Sequence, residues 1–454
     1  MNKLYLDPST LGSSADKEFS EPKMASWHLY LWQRLDQTFI AGFTPVYYAS
    51  VMGTGISSNI LYNFPFESRW LQICGIIMAV VALCLFLVLL AFFALALLRN
   101  KSLFSKIHRD AALAPPMGCF VMGYVTLVNM LHSLTKDRWI MAVWVLWWIA
   151  VAGSFYTAFL TFYLCAIAKH RKNRNHTEPS NISMTFLLPV VTLMVTSSSG
   201  GIVTPDLPHL QLKIISMVVS FIMWAIAVVL AFIVVSVNFW RLFVHKIPAS
   251  GQVFTMFLPI GFLGQGSYSI MLFGRNCVTI IMEHADSVLL SSYTSILHTT
   301  ASENHVDLSG LPSILATSLL TVSTLAAMTL VSFGYFFTFV AFASFFSKMV
   351  PFASRPNLQH VYQPSGTNFI SRQFAGFLRF NKGFWSMTFP VGTMVLANGE
   401  IHSLFNGMEA FRYISVIYAV VVIIVTLGCL CGVLYNIGKA IKFAFSPLRQ
   451  KEMV

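Results

Sequence analysis

Ten runs of about twenty apolar residues divide this chain, and no Asp, Glu, Lys or Arg falls in the middle of any of them. A run of that kind reads as a transmembrane helix, because only a helix satisfies its own backbone across about 30 Å of hydrocarbon. The runs are 44–62, 70–98, 115–134, 139–168, 184–203, 212–240, 252–274, 312–346, 384–399 and 411–437. Several even-numbered runs exceed 25 residues, long enough to tilt or to project beyond the bilayer. The expected fold class is therefore an all-α polytopic membrane protein. Composition agrees: 10% of the 454 residues are charged, against about 25% in a soluble domain. So few charges could not cover a soluble surface, and 40 Phe and 10 Trp deepen the mismatch. A disordered or collagen-like chain is excluded by the same numbers.

The formal net charge of +12 would suggest nucleic acid in a soluble protein, but in a membrane protein it points first to cytoplasmic loops. With the N-terminus inside and ten alternating spans, 23 Lys+Arg fall inside and six outside: Arg69, Lys136, Arg138, Lys213, Arg275 and Arg412. Acidic residues divide eight inside to nine outside, so the net is +15 inside and −3 outside. This asymmetry puts both termini in the cytoplasm. The sequons Asn175-His-Thr177 and Asn181-Ile-Ser183 then face the cytoplasm and are expected to be unused. No signal peptide is visible before Met24, so the first span is expected to act as both signal and span. The segment Trp27–Ile40 suits either an interfacial helix or an extension of span 1. The expected organisation is a cytoplasmic tail at 1–43, a transport domain at 44–437 and a short cytoplasmic tail at 438–454.

The odd spans share a pattern that the even spans lack. Each carries a proline near its start, followed by small or hydroxyl residues. Span 1 has Pro45 and then Met52-Gly-Thr54-Gly-Ile-Ser57-Ser58-Asn59. Span 3 has Pro116, and span 5 has Pro189 and then Thr196-Ser197-Ser198-Ser199-Gly-Gly201. Span 7 has Pro259 and Gly264-Gln265-Gly-Ser267, and span 9 has Thr388-Phe389-Pro390-Val-Gly-Thr393. Successive prolines lie 71, 73, 70 and 131 residues apart, the last interval lengthened by polar inserts near 275–310 and 347–382. This spacing reads as five helical hairpins, each a Pro-broken polar helix followed by a long apolar one. Broken backbone is tolerated in a membrane only against protein or around a water-filled cavity. Five odd helices inside five even ones would line a central axis with hydroxyls and amides. Taken singly, each Gly or Ser fits tight helix packing; repeated in five spans, the pattern favours a pathway.

Catalytic and metal-binding chemistry has little to stand on. HExxH, Walker A, GxSxG and zinc-ligand spacings are absent, and Ser197–Ser199 has no adjacent His or Asp. The seven Cys include no CxxC and read as soft apolar filler. His132, His298 and His402 fall near or beyond outer span ends and read as interface residues. No enzyme activity, cofactor or metal is expected. With no carboxylate in mid-span, a cation path is disfavoured. Hydroxyls, amides and half-helix N-termini are donors, and donors solvate anions. The inner +15 would concentrate anions at a cytoplasmic mouth, although topology and anionic lipid account for most of that charge. Phe389, beside Pro390 in the polar ninth span, stands out as a ring able to close such a path.

Several long motifs then carry a resemblance. They are Pro45 with Met52-Gly-Thr-Gly-Ile-Ser-Ser-Asn-Ile-Leu-Tyr62, Val195-Thr-Ser-Ser-Ser-Gly200, Gln252-Val-Phe-Thr-Met-Phe-Leu258 with Gly264-Gln-Gly-Ser267, Gly334-Tyr-Phe-Phe-Thr338 and Lys382-Gly-Phe-Trp-Ser-Met-Thr-Phe-Pro-Val-Gly-Thr-Met394. In order and length these resemble the fungal sulfite efflux pumps of the tellurite-resistance/dicarboxylate transporter family, from about Phe43 to Leu434. The resemblance implies ten helices around a pseudo-fivefold pore, termini inside, one pore per subunit and usually a homotrimer. It implies a gate phenylalanine in the segment Trp-x-x-Thr-Phe-Pro, which falls on Phe389. It implies export of sulfite or bisulfite through the plasma membrane, while the family also includes C4-dicarboxylate (malate) carriers and chloride or nitrate channels. Expected pore-lining residues are Thr54, Ser57, Ser58, Ser197, Ser198, Gln265, Ser267, Thr388 and Thr393. Expected helix breakers are Pro45, Pro116, Pro189, Pro259 and Pro390. The expected partners are the lipid bilayer and the anion, with no nucleic acid.

Overall fold

The computed structural model describes residues 36–168, 182–248, 251–284, 311–348, 380–405 and 408–444. Residues 1–35, the sequon Asn175–Thr177, Asn181 of the second sequon, the greater part of the two polar inserts and the last ten residues lie outside the described residues. Ten long helices carry the fold: α1 (Tyr48–Tyr62), α2 (Arg69–Arg99), α3 (Met117–Thr135), α4 (Ile140–Phe155), α5 (Leu187–Val203), α6 (Leu210–His245), α7 (Leu258–Glu283), α8 (Leu311–Phe346), α9 (Trp385–Leu404) and α10 (Glu409–Ala444). No strand occurs among the described residues. Eight of the helices, with their flanking turns, are long and apolar enough to cross a membrane; α1 and α9 are the two that do not meet that measure. The two fall short for a physical reason: α1 is only 15 residues long, and both helices carry the small and polar residues of the odd-span pattern.

The prolines behave differently from the expected breakers. Pro45 opens a 3-10 turn that runs into α1, Pro116 caps α3, and Pro189 and Pro259 stand in the first turns of α5 and α7. The first N–H groups of a helix have no partner within it, so proline costs nothing there and its fixed φ favours the start. Only Pro390 lies inside its helix. It has no N–H for the Ser386 carbonyl, so α9 alone loses a backbone bond beside Phe389. Side chains cap two of these starts: Ser183 Oγ accepts from Thr185 N ahead of α5, and Asn381 Oδ1 accepts from Gly383 N ahead of α9. Two boundaries also move. α7 runs to Glu283, about two and a half turns past its expected end at residue 274, so the insert expected from 275 begins later, and α10 runs to Ala444. Of the expected interfacial helix, residues 36–41 form one wide helical turn against α2, where Phe39 stacks on Phe92 and Asp36 pairs with Arg99.

The odd helices close a ring: α1 touches α3, α3 touches α5, α5 touches α7, α7 touches α9, and α9 returns to α1. Each even helix lies in the groove between the odd helix before it and the odd helix after it. Burial follows this order. In α5 and α7, 89% of the most apolar window is buried, against 17% in α2 and 22% in α10. Exposed Ile77, Phe339 and Ile424 on the outer helices therefore face the lipid that their composition requires. Polar ties hold outer helices to the ring. Trp147 Nε1 of α4 donates to the Thr196 carbonyl of α5 at 2.9 Å, and Trp224 Nε1 of α6 donates to the Gly266 carbonyl of α7 at 2.9 Å. Tyr335 of α8 donates to Asn398 Oδ1 of α9 at 2.5 Å, and Ser415 of α10 donates to the Val395 carbonyl of α9 at 3.0 Å.

Inside the ring, close approach rests on glycine. A Cβ on Gly53 would lie 2.2 Å from Thr388 Oγ1 across α1 and α9. On Gly55 it would lie 2.1 Å from Thr126 Oγ1 across α1 and α3, and on Gly264 2.5 Å from Thr393 Oγ1 across α7 and α9. On Gly118 it would meet the Leu188 carbonyl at 2.3 Å across α3 and α5. Without a hydrophobic force between helices in lipid, such contacts supply the association through van der Waals packing. Gly53→Ala should therefore destabilise the protein by about 1–3 kcal/mol, the usual cost of overpacking. The readout is thermal unfolding in detergent, and the loss should shrink in a Thr388→Ala background. Equal stability of Gly53→Ala and wild type would contradict the close approach.

Candidate transport pathway

A cavity of about 730 Å³ opens among the five ring helices and widens toward their C-terminal ends. Ile56 and Asn59 of α1, Thr126, Asn129 and His132 of α3, Val195 and Ile202 of α5, Gln265, Tyr268 and Arg275 of α7, and Phe389, Leu396 and Glu400 of α9 line it. Within each helix these positions repeat at three, four or seven residues, so each helix offers one face to the cavity. The helices set the depth. Phe389 and Glu400 are eleven residues apart on α9, about 16 Å along the axis. Gln265 and Arg275 are ten apart on α7, about 15 Å. Phe389 and Gln265 thus form the floor, 4% and 3% exposed, while Lys136, Asp206 and Glu67 stand toward the open end.

Of the expected pore residues, only Phe389 and Gln265 line this cavity. Ser198 lies next to it, accepting a hydrogen bond from Gln265 Nε2. Ser57 faces α10 and shares a hydrogen bond with Thr426 at 2.8 Å. Ser197 turns outward, donating to the Ser220 carbonyl of α6 at 2.6 Å and contacting Ser269 Oγ at 2.6 Å. Thr388 and Thr393 fill the space that Gly53 and Gly264 leave. Thr54, Ser58 and Ser267 are fully buried.

The hydroxyls also differ from their expected role as donors to an anion. Thr54 donates to the Ser50 carbonyl at 2.7 Å, Ser58 to Gly55 at 2.7 Å and Ser198 to Val195 at 2.8 Å. Thr388 donates to Trp385 at 2.8 Å and Thr393 to Pro390 at 2.7 Å. Each proton is committed to its own helix, the ordinary fate of Ser and Thr within helices. Donors with freedom toward the cavity are of other kinds. Asn129 accepts Ser199 at 2.5 Å through Oδ1, which leaves its amide N–H groups for the cavity. The Arg275 guanidinium supplies more.

Arg275 and Glu400, each one residue past an expected span end, lie inside their helices. α7 and α9 extend past both residues, and Arg275 Nη1 donates to Glu400 Oε1 at 2.6 Å across the two. A second pair, His132 Nε2 and Asp206 Oδ2 at 2.8 Å, joins α3 to the turn after α5. The signal was present in the sequence: Gln265, Tyr268 and Arg275 keep helical spacing, as do Phe389, Leu396 and Glu400.

A ring of polar helices, jacketed by apolar ones and holding a cavity with an aromatic floor, defines a multi-pass membrane protein of the transport class. Residues 42–434 match the SLAC1 family, described as voltage-dependent anion channel, and the chain belongs to that family. It is 40% identical over 416 residues to the sulfite efflux pump SSU1 of Candida albicans, covering 90% of this chain and 76% of that protein. It is 30% identical over 448 residues to the sulfite efflux pump SSU1 of Saccharomyces cerevisiae, covering 92% and 90%. The sulfite efflux pump SSU1 of Trichophyton rubrum is 24% identical over 394 residues. The family is one of anion transport, not of enzymes.

None of the seven cysteines lines the cavity, and with exposed Cys84 and Cys431 replaced by Ser an introduced thiol reports on it. Asn129→Cys should react readily with a charged thiol reagent applied from the open end. Gln265→Cys, at the floor beside Phe389, should react from the same side but more slowly. No labelling of a folded Gln265→Cys from the open end would contradict the position of the floor.

Proposed function

We propose that this chain exports sulfite or bisulfite through the plasma membrane, along the axis of the five-helix ring, with Phe389 as the gate. The cavity that ends on Phe389 is the observation that carries this reading, because it leads from one end of the ring to a single apolar ring beside the one intrahelical proline. The names of the relatives favour sulfite as cargo. In this reading all ten helices cross the bilayer, α1 and α9 included, with pseudo-fivefold order and both termini in the cytoplasm. The uneven distribution of Lys and Arg supports that orientation. The cavity then opens outward and Phe389 separates it from the cytoplasmic half. One path serves each subunit, and a homotrimer is the assembly proposed. The short tails 1–43 and 438–454 lie at the cytoplasmic face.

The mechanism follows from the barrier. An anion stripped of water in an apolar constriction costs many kcal/mol unless fixed donors replace its hydration. Phe389 offers no donor, so the closed path excludes ions. The bond missing at Pro390 gives α9 freedom where the ring must swing aside. Past the ring, Gln265 Nε2 and the cavity donors receive the anion.

Cells lacking their own exporter should gain sulfite tolerance and extrude sulfite when they express this chain. Unchanged tolerance and extrusion with confirmed surface expression would overturn the cargo. Phe389→Ala should raise anion conductance several-fold in a correctly inserted protein. Unchanged or lost current would remove Phe389 from the gate role.

A further inference from the structure

We propose that Arg275 forms an anion-binding site in the cavity about 15 Å from its floor, and that Glu400 positions and partly neutralises its guanidinium. The ligand is a small singly charged oxyanion, and in the transport reading, on which this inference rests, the site is the station before release. Four observations carry it. Arg275 lines the cavity from within α7, and Glu400 lines it from within α9, the neighbouring ring helix. The pair is asymmetric: the carboxylate side chain is 9% exposed, the guanidinium side chain 40%. One guanidinium N–H is spent on Glu400 Oε1, and four of its five donors are left. Thr54, Thr388 and Thr393 have given their protons to their own backbones, and the cationic donor deepest in the cavity is Arg275.

The chemistry of the pair suits a site that must also let go. An unpaired arginine in a protein cavity would hold an oxyanion tightly through a bidentate contact. Glu400 reduces that attraction while fixing the plane of the fork. Conduction requires binding strong enough to draw the ion on and weak enough to release it. The same two helices carry Phe389 and Gln265, so an anion that passes the floor next meets Arg275 along the face of α7.

The rival role is a clamp between α7 and α9 with no ligand. The two roles separate by sign. In a clamp, neutralising either partner acts in the same direction. In an anion site, Glu400→Gln unmasks the guanidinium and Arg275→Gln removes it. The experiment uses the purified full chain in detergent and measures thermal unfolding against sodium sulfite at constant ionic strength, since a ligand bound to the folded state raises the midpoint. Wild type should show a saturable shift. Glu400→Gln should reach half-saturation at about tenfold lower sulfite, the scale of one charge removed at close range. Arg275→Gln should lose the sulfite-dependent shift. Should either single variant unfold, Arg275→Gln with Glu400→Gln keeps a neutral hydrogen bond, and Arg275→Lys keeps the charge. The neutral pair should fold without a sulfite shift, and Arg275→Lys should keep a weaker one. No shift in wild type with any of sulfite, nitrate or malate, parallel loss in both single variants, or a full shift in the neutral pair would overturn the site. A shift by nitrate that depends on Arg275, without one by sulfite, would support the site and overturn the cargo, whereas a shift by malate alone would overturn the singly charged ligand.

Discussion

Glycine set against threonine holds this architecture together. Gly53 against Thr388, Gly55 against Thr126 and Gly264 against Thr393 bring ring helices to a distance that any Cβ would forbid. In lipid the hydrophobic effect gives no reason for two apolar helices to meet, so shape has to do it. Close approach makes the ring narrow, and a narrow ring is what one phenyl group can close. It also leaves grooves outside, into which the even helices fit one by one, each touching two ring helices. The outer helices then need only be apolar, and they are. Trp147, Trp224 and Tyr335 turn inward to backbone or amide partners on the ring, while exposed Ser318, Thr321, Thr329 and Ser332 of α8 bond back to their own helix.

The polar content of the ring divides its labour by partner. Hydroxyls mostly serve the helices that carry them, through bonds to carbonyls three or four residues back. That satisfies buried protons and takes the same groups out of service as anion donors. A path of this kind is neutral in its narrow part and ionisable only where the cavity widens, at Arg275, Glu400, His132 and Asp206. In the proposed direction of export an anion would meet an apolar barrier first and a charged environment after it. The one break in a ring helix, at Pro390, adjoins that barrier.

Much of this was legible in the chain. The apolar runs and the odd-span pattern marked ten helices and set five of them inside, because a polar helix cannot face lipid. Phe389 and Gln265 stood out and line the cavity. The other polar residues could not be assigned from the pattern alone. Ser57 and Ser197 share a helix with true cavity residues but stand on other faces, and a one-residue rotation separates a lining side chain from a packing one. Four prolines looked like breaks because sequence shows a proline's place in a run, not the start of its helix. Arg275 and Glu400 were hidden by span ends drawn too early. A polar helix that continues inside protein has no hydropathy edge at its true end.

The most direct measurement is flux in lipid vesicles holding the purified full chain, loaded with sulfite and placed in sulfite-free medium, with excess malate present in a parallel series. Sulfite should leave these vesicles faster than protein-free ones, and malate should not slow it. Vesicles that retain sulfite, or that release malate in its place, would contradict a sulfite path through the ring.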